Sequence, residues 1–180
     1  MHLFSVHIVL ILFSSAMNAQ TLFDSKTNPS SKDWYIIDDV VMGGRSNGQL
    51  EITKQGHAKF YGTVSLENNG GFSSVRYGMK NTEVDAEHNI RIRLKGDGNR
   101  YQFRVKNNRN QNYSYITHFK TNGEWQTVTF KLKDLYPTFR GRQLDFPNFN
   151  HTSLEEIAFL IGNKAAQQFE LTISKVELVP

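Results

Sequence analysis

The sequence of 180 residues contains no cysteine. Disulfide bonds, thiolate metal sites and cysteine nucleophiles are therefore excluded. No long segment shows the 3.6-residue hydrophobic period of an amphipathic helix, which points away from a helical fold. A chain of this length is expected to form one domain that buries its own core without covalent cross-links.

Motifs typical of catalytic, nucleotide-binding or metal-binding sites are also scarce. There is no Gly-x-Ser-x-Gly nucleophile elbow, and no glycine pair runs on into the Gly-Lys-Ser/Thr ending of a P-loop. The four histidines beyond the first residues lack the spacing of metal ligands, and they are His57, His88, His118 and His151. We therefore expect a protein that is not an enzyme and has no metal or cofactor, although a structural calcium at Asp97 stays open.

The formal net charge is only +4. Such mild basicity permits attraction to phosphate, acidic glycans or anionic membranes but does not require it. No aromatic platform is interleaved with the arginines, so nucleic acid is not an expected partner. The remaining partner classes are a protein or a glycan, and a monomer is expected.

One apolar run, from Leu3 to Phe13, is followed by small residues up to Ala19. The run is too short for a membrane span and resembles the hydrophobic region of a signal peptide. Residues 1–19 are accordingly predicted to be a signal peptide that is cleaved after Ala16 or Ala19. Unlike a typical signal peptide, it has no Lys or Arg before the apolar run. The alternative is a buried N-terminal strand. Export to the periplasm or the exterior is expected, with no transmembrane segment.

Short segments of alternating apolar and polar residues, bounded by turn residues, fill the rest of the chain. They predict a single all-β domain over residues 34–180, an antiparallel β-sandwich or jelly roll, after a polar lead-in over residues 20–33. We expect a bulge near Ser174, a helical turn near Lys131 to Leu135 and a short turn at Ser153. The stretch from Asp134 to Asn150 is predicted to be one long loop.

Two strictly alternating segments flank a Gly-Asp-Gly turn at Asp97. They are Ile90 to Lys95 and Tyr101 to Lys106, and they read as a β-hairpin. The outer face of such a hairpin would carry four cations suited to phosphate, sulfate or carboxylate groups, namely Arg91, Arg93, Arg104 and Lys106. The alternative is a solvated face with acidic residues opposite.

Two segments share the spelling Gly-Gly-x-Ser, beginning at Gly43 and at Gly70. Paired glycines are needed where a chain takes positive φ or passes close to other atoms. We predict that the two loops adjoin at one end of the sandwich. Asp38 and Asp39 should point to opposite faces of a strand, so that one caps backbone N–H groups instead of forming an acid/base pair.

The candidate site at this end gathers the polar and glycine residues of these loops with the aspartate of the third turn. Its members are Asp38, Asp39, Met42, Gly43, Gly44, Arg45, Ser46, Asn69, Gly70, Gly71, Phe72, Arg76 and Asp97. Arg45 and Arg76 are the residues expected to contact a partner.

The order of these motifs resembles the NADH:ubiquinone oxidoreductase (complex I) intermediate-associated protein 30 domain family, over about Trp34 to Leu178. The motifs are the Asp-Asp-x-x-Met-Gly-Gly-x-Ser segment at Asp38, Phe60-x-Gly62, the Asn-Gly-Gly-Phe segment at Asn69, the Gly-Asp-Gly turn before Tyr101, Trp125, and the strand from Phe169 to Ile173. The resemblance implies a galactose-binding-like jelly roll. Eukaryotic members assist the assembly of complex I, whereas the leader here is typical of an exported bacterial single-domain member.

The resemblance leaves two functions open. The first is a non-catalytic, assembly-factor-like module that holds a protein through the glycine loops and the basic face. The alternative is an extracytoplasmic carbohydrate-binding module whose aromatic rings stack on sugars, with candidates Tyr113, Tyr115, Trp125, Tyr136 and Phe139. A buried Trp125 would favour the first function, and a Trp125 exposed beside Arg or Asn the second.

Overall fold

Two antiparallel β-sheets pack face to face in the computed structural model, which describes residues 19–180. The strands, in chain order, are β1 Gln20–Asp24, β2 Trp34–Asp38, β3 Asn47–Ile52, β4 Ala58–Val64, β5 Ser73–Glu83, β6 Asn89–Gly96, β7 Arg100–Lys106, β8 Ser114–Lys120, β9 Trp125–Lys131, β10 Tyr136–Phe139, β11 Arg142–Gln143, β12 Ser153–Ile161 and β13 Gln167–Val179. Short 3-10 helices occupy Asp39–Met42, Glu67–Asn69 and Leu132–Asp134. The predicted antiparallel sandwich, a galactose-binding-like jelly roll, is thus confirmed.

The first sheet has six strands in the order β3-β4-β13-β6-β9, with β1 paired to β13. The second has seven strands in the order β11-β10-β8-β7-β12-β5-β2. Alternation along each strand sends one set of apolar side chains into the space between the sheets. Ile92 of β6 and Phe103 of β7 are both fully buried there.

The predicted hairpin between Ile90 to Lys95 and Tyr101 to Lys106 is wrong. Strand β6 pairs with β13 and β9, whereas β7 pairs with β12 and β8 in the other sheet. The turn at Asp97 therefore carries the chain across the core. Both arrangements bury the same alternate residues, so the alternation alone could not distinguish between them.

Three smaller expectations also need correction. Part of the segment predicted as a lead-in, residues 20–33, forms β1, and its Phe23 is 2% exposed and packs edge-on against Trp34 with ring centroids 5.1 Å apart. The predicted loop from Asp134 to Asn150 contains β10 and β11, and β12 begins at Ser153 in place of a turn. The bulge is confirmed, because the β13 register shifts between Ile173 and Lys175.

The predicted signal peptide, apart from Ala19, lies outside the described residues. Within residues 19–180, no helix has the length and apolar character that crossing a membrane requires.

Candidate functional site

The two glycine loops meet at the buried carboxylate of Asp39. This side chain is fully buried and accepts hydrogen bonds from the backbone N–H groups of Ser46 at 2.9 Å, Gly71 at 2.6 Å and Phe72 at 3.1 Å. The Ser46 hydroxyl donates to it as well. Burial alone would raise the pKa of Asp39, but the bonds from Ser46, Gly71 and Phe72 outweigh it and lower the pKa. Asp39 is therefore the point that joins the loops.

Asp38 points the other way, as expected for neighbouring residues at a strand end. Its carboxylate accepts a bond from the Gly48 N–H at 2.8 Å and another from the Ser73 hydroxyl. The two aspartates thus serve different backbone segments and cannot act as an acid/base pair on one substrate. Both belong to the scaffold of the site.

The glycines of these loops are required for two different reasons. Gly43 has a φ of +91° and ends the Asp39–Met42 helix in the left-handed conformation. Gly44 instead lies so close to Asp39 that a Cβ there would be 2.3 Å from Oδ1. At Gly70, whose φ is −67°, a Cβ would be 2.7 Å from Asp39 Oδ2. Close approach, and not positive φ, therefore explains Gly44 and Gly70.

Outside this buried centre, the same end of the sandwich exposes apolar side chains. We call them the apolar tip: Val40, Val41, Met42 and Leu66, which are 60%, 71%, 53% and 46% exposed. Arg45 lies nearby in an exposed salt bridge of 2.8 Å with Glu67, and Asn69 takes a left-handed φ of +60° in the second loop. Exposed salt bridges of this kind contribute little to stability.

A groove of about 670 Å³ runs over the outer face of the seven-stranded sheet. Met42, Leu66 and the segment Gly70 to Phe72 form one side of it, and residues 109–112 and 138–141 lie over the others. Its floor consists of outward side chains of β5, β7 and β12, including Arg76, Gln102 and Leu160. The segment predicted as a loop end is thus one wall of a larger concave site.

Register places a row of side chains across this floor. Arg76 of β5 and Arg104 of β7 both pair with Ala158 of the central strand β12. Tyr35 of β2 stands beside Arg76 at one end of the row, and Ile116 of β8 stands beside Arg104 at the other. Ala158, the small residue between the two arginines, is itself buried.

A buried carboxylate compensates part of the positive charge in the floor. The Glu156 side chain is 3% exposed, lies 3.3 Å from Arg76 Nη1 and 3.9 Å from Lys106 Nζ, and accepts a bond from the Tyr35 hydroxyl. Burial and the bond to Glu156 raise the pKa of Tyr35 to about 12. Burial lowers the pKa of Lys106, with Glu156 opposing the shift and the two arginines adding to it.

The predicted basic face does not exist as one surface. Arg91 and Arg93 lie on the outer face of the six-stranded sheet, while Arg104 and Lys106 face the groove on the opposite side of the sandwich. Arg91 pairs with Glu177 at 3.0 Å, so an acidic partner opposite it is present. The Arg93 guanidinium lies 5.6 Å from the centre of the Trp125 ring, and Trp125 is half-buried. Because Trp125 is neither buried nor fully exposed, its position does not distinguish a protein-binding module from a sugar-binding one.

Asp97 fixes the turn that carries the chain between the sheets. It accepts bonds from the N–H groups of Asn99 and Glu170 and from the Tyr101 hydroxyl. Burial and this carboxylate raise the pKa of Tyr101. Within residues 19–180, no group of three or more His, Asp or Glu side chains is placed to hold a metal ion.

Several residues that line the groove were missed at the level of sequence, and they are Gln102, Arg109, Asn110, Asn112 and Lys164. Tyr35 and Glu156, which contact each other next to Arg76, were missed as well. Of the rings named for sugar stacking, Phe139 lines the groove and is 40% exposed, while Tyr115 belongs to the core. The outward positions of β7 carry polar residues at period two, which was the available signal for the floor, whereas those of β12 include the apolar Ala158 and Leu160.

A two-sheet sandwich with a concave face framed by loops is a fold that this chain shares with several solved structures. The chain resembles a family 11 carbohydrate-binding module from Clostridium thermocellum solved with a β-1,3-1,4-mixed-linked tetrasaccharide, with a TM-score of 0.68 and 14% identity over 92% of this chain and 97% of that one. An agarase, AgWH50C, matches with a TM-score of 0.58 and 11% identity over 89% of this chain and 26% of that one. These likenesses concern the fold.

The family model for complex I intermediate-associated protein 30 matches residues 22–173. The chain therefore belongs to the complex I intermediate-associated protein 30 family, as its motifs indicated. No curated protein sequence matched.

Proposed function

We propose that this protein is an exported, non-catalytic carbohydrate-binding module that holds a polysaccharide in the groove. The observation that carries the proposal is the groove itself, a concave surface of about 670 Å³. Amides and hydroxyls line it, among them Gln102, Asn112 and Ser114. Such groups hydrogen-bond the hydroxyls of a sugar, and a concave site buries more of a ligand than a flat sheet does.

Three further observations support the proposal. Similar folds are those of carbohydrate-binding modules, one of which was solved with a bound tetrasaccharide. The exposed ring of Phe139 at the rim offers an apolar surface on which a sugar can stack. The apolar run near the N-terminus suits a protein that meets polysaccharide outside the cytoplasm.

The proposal predicts that the protein binds at least one soluble polysaccharide and that Gln102→Ala weakens this binding about three- to tenfold, the value of one hydrogen bond. Isothermal titration calorimetry over a panel of neutral and acidic polysaccharides measures the affinity. Gln49→Ala is the matched control, because Gln49 is an exposed glutamine on the other sheet. Absence of binding to every polysaccharide of the panel would refute the proposal.

A second function, that of an assembly-factor-like module for a protein partner, is favoured by the apolar tip. Exposed apolar side chains that adjoin one another are typical of protein contact sites. Membership of the family supports the same proposal. In this case the Asp39 centre would hold the tip rigid, and the partner would contact Val41 and Leu66.

If the tip binds a protein, Val41→Asp should reduce co-purification of respiratory complex I subunits by tenfold or more, because a charge would be buried in an apolar contact. Quantitative mass spectrometry of captured complexes measures this. Thr129→Asp, at an exposed position of β9, serves as the control. Equal capture by the two variants, or none by the unmodified protein, would contradict the assembly-factor function.

A further inference from the structure

The charged residues known to line the groove are all cations. Among the residues of the 19–180 range that line it, none is Asp or Glu. The cations are Arg76, Arg104, Lys106, Arg109, Arg140 and Lys164. A formal net charge of only +4 for the whole chain makes this concentration a local feature of the groove and not a reflection of the average surface.

Pairing within the protein accounts for part of this charge. Glu156 contacts both Arg76 and Lys106. The Arg109 guanidinium is bonded to the backbone oxygens of Glu155 and Met79. Arg104 is different: its hydrogen bond goes to the neutral Gln102 amide at 2.9 Å, and it forms no salt bridge with any of residues 19–180.

Arg104 is therefore a desolvated cation that no carboxylate of residues 19–180 contacts directly. Burial, followed by the neighbouring Arg76, lowers the pKa of Arg104 to about 10. A donor of the neighbouring Arg76 is also unused, because Arg76 Nε is buried without a hydrogen-bond partner among the described residues. Holding these groups together costs stability in the free protein, and an anion placed between them would offset that cost.

The groove has room for such an anion beside these two arginines. Arg76 and Arg104 flank Ala158 on neighbouring strands, so their Cα atoms are about 10 Å apart, or two strand spacings. Both arginines line the groove of about 670 Å³, so a carboxylate or sulfate held there can approach both guanidinium groups. Both anions accept the paired hydrogen bonds that guanidinium offers.

The groove also continues beyond this point. An adjacent cavity of about 160 Å³ shares Gln102 and Lys164 with the groove and adds Arg100 and His118, again without Asp or Glu among the lining residues that the structure describes. Burial, together with Arg100 and Arg104, lowers the pKa of His118. A positively lined channel that extends along the sheet suits a polymer better than a single small ion.

We propose that the ligand is an acidic polysaccharide, bearing uronic-acid carboxylates or sulfate esters, with one anionic group held in the groove by Arg104 beside Arg76. This inference rests on the proposed carbohydrate-binding function. Arg104 supplies the main charge contact, Arg76 contributes its free Nε–H, and Gln102 orients the Arg104 guanidinium. Glu156 keeps Arg76 and Lys106 in place without cancelling Arg104.

The test compares polymers that differ in charge on a similar backbone, by isothermal titration calorimetry with the full mature chain. Polygalacturonate is paired with its methyl ester, and the sulfated galactan carrageenan with neutral agarose. We expect at least tenfold tighter binding to one charged member than to its neutral partner. Arg104→Gln should weaken that binding about tenfold or more, the value of a charge-assisted hydrogen bond.

Arg91→Gln is the matched control, because it removes the same charge from an exposed position on the outer face of the other sheet and should change the affinity less than twofold. Equal losses in the two variants would mean diffuse attraction to a basic protein and would overturn the inference. Equal binding of charged and neutral polymers would overturn it while leaving the proposed function standing. No binding to any polymer would refute both, and equally tight, Arg104-dependent binding of poly-glutamate would assign the groove to an acidic peptide instead.

Discussion

Replacing Asp39 by alanine is expected to lower the free energy of unfolding by about 3–5 kcal/mol, the cost of breaking a buried charged network. The carboxylate is fully buried and accepts backbone bonds from Ser46, Gly71 and Phe72. Removal of the carboxylate leaves these N–H groups without an acceptor. Urea denaturation followed by tryptophan fluorescence measures the change.

Asp145→Ala is the control for this experiment, since Asp145 is exposed and should change stability by less than about 0.5 kcal/mol. Asp39→Asn adds a pH test. Because hydrogen bonding lowers the pKa of Asp39, its contribution is present above the ordinary aspartate pKa of about 4 and is lost as pH falls through the lowered value. The stability gap between the unmodified protein and Asp39→Asn should therefore narrow in acid, and a gap that widened there would contradict the role of the carboxylate.

The second large effect is expected at Gly44. A Cβ at this position would lie 2.3 Å from Asp39 Oδ1, 2.4 Å from Cγ and 2.9 Å from Cβ. Since hydrogen bonds hold the Asp39 side chain in place, it cannot move aside cheaply. We expect Gly44→Ala to cost about 3 kcal/mol, at the upper end for overpacking a core. Urea denaturation again provides the measurement.

Gly43→Ala is the natural comparison because it lies one residue away. A Cβ there meets nothing within 4 Å, so only the left-handed φ of +91° is penalised. The expected cost is about 1–2 kcal/mol. Should Gly43→Ala prove as damaging as Gly44→Ala, positive φ and not the approach to Asp39 would be the main constraint on this loop.

The proposed binding and the stability of the protein depend on different residues. Asp39, Gly44 and Gly70 hold the loop that forms one wall of the groove, and Arg104 lies on its floor. Variants of the first group should alter stability before they alter affinity. Variants at Arg104 should alter affinity for the proposed ligand, because this side chain has no salt-bridge partner among residues 19–180 and lines the groove.

The loop end was accessible from sequence because its signals are local. Paired glycines beside Asp38 and Asp39 indicated tight packing and carboxylate caps, and the structure has Asp39 bonded to the second loop at Gly71. The sequence could not show which physical constraint, positive φ or the close approach of another side chain, requires a glycine at each position. Whether Gly70 needs positive φ or space depends on which side chain approaches it, and that side chain is Asp39, far away in the sequence.

The position of the basic residues relative to one another, in contrast, could not be predicted from local signals in the sequence. Alternation correctly placed Arg91 and Arg93 on one face of a strand and Arg104 and Lys106 on one face of another. The hairpin that would have joined them was wrong because β6 and β7 belong to different sheets. Strand pairing is decided by contacts between distant parts of the chain, here of β7 with β12 and of β6 with β13. The alternation within one strand therefore does not show which strand it pairs with.

The sequence by itself determined the all-β class, the family and the alternation that separates core from surface, since each of these depends on residues close together in the chain. Only the tertiary structure decided that Arg76, Arg104 and Ala158 form one row and that the glycine loop is one wall of a groove. These neighbours come from β5, β7 and β12, three strands that hydrogen bonds place side by side. The physical reason is that a β-sheet joins residues by register across strands, which no short stretch of sequence specifies.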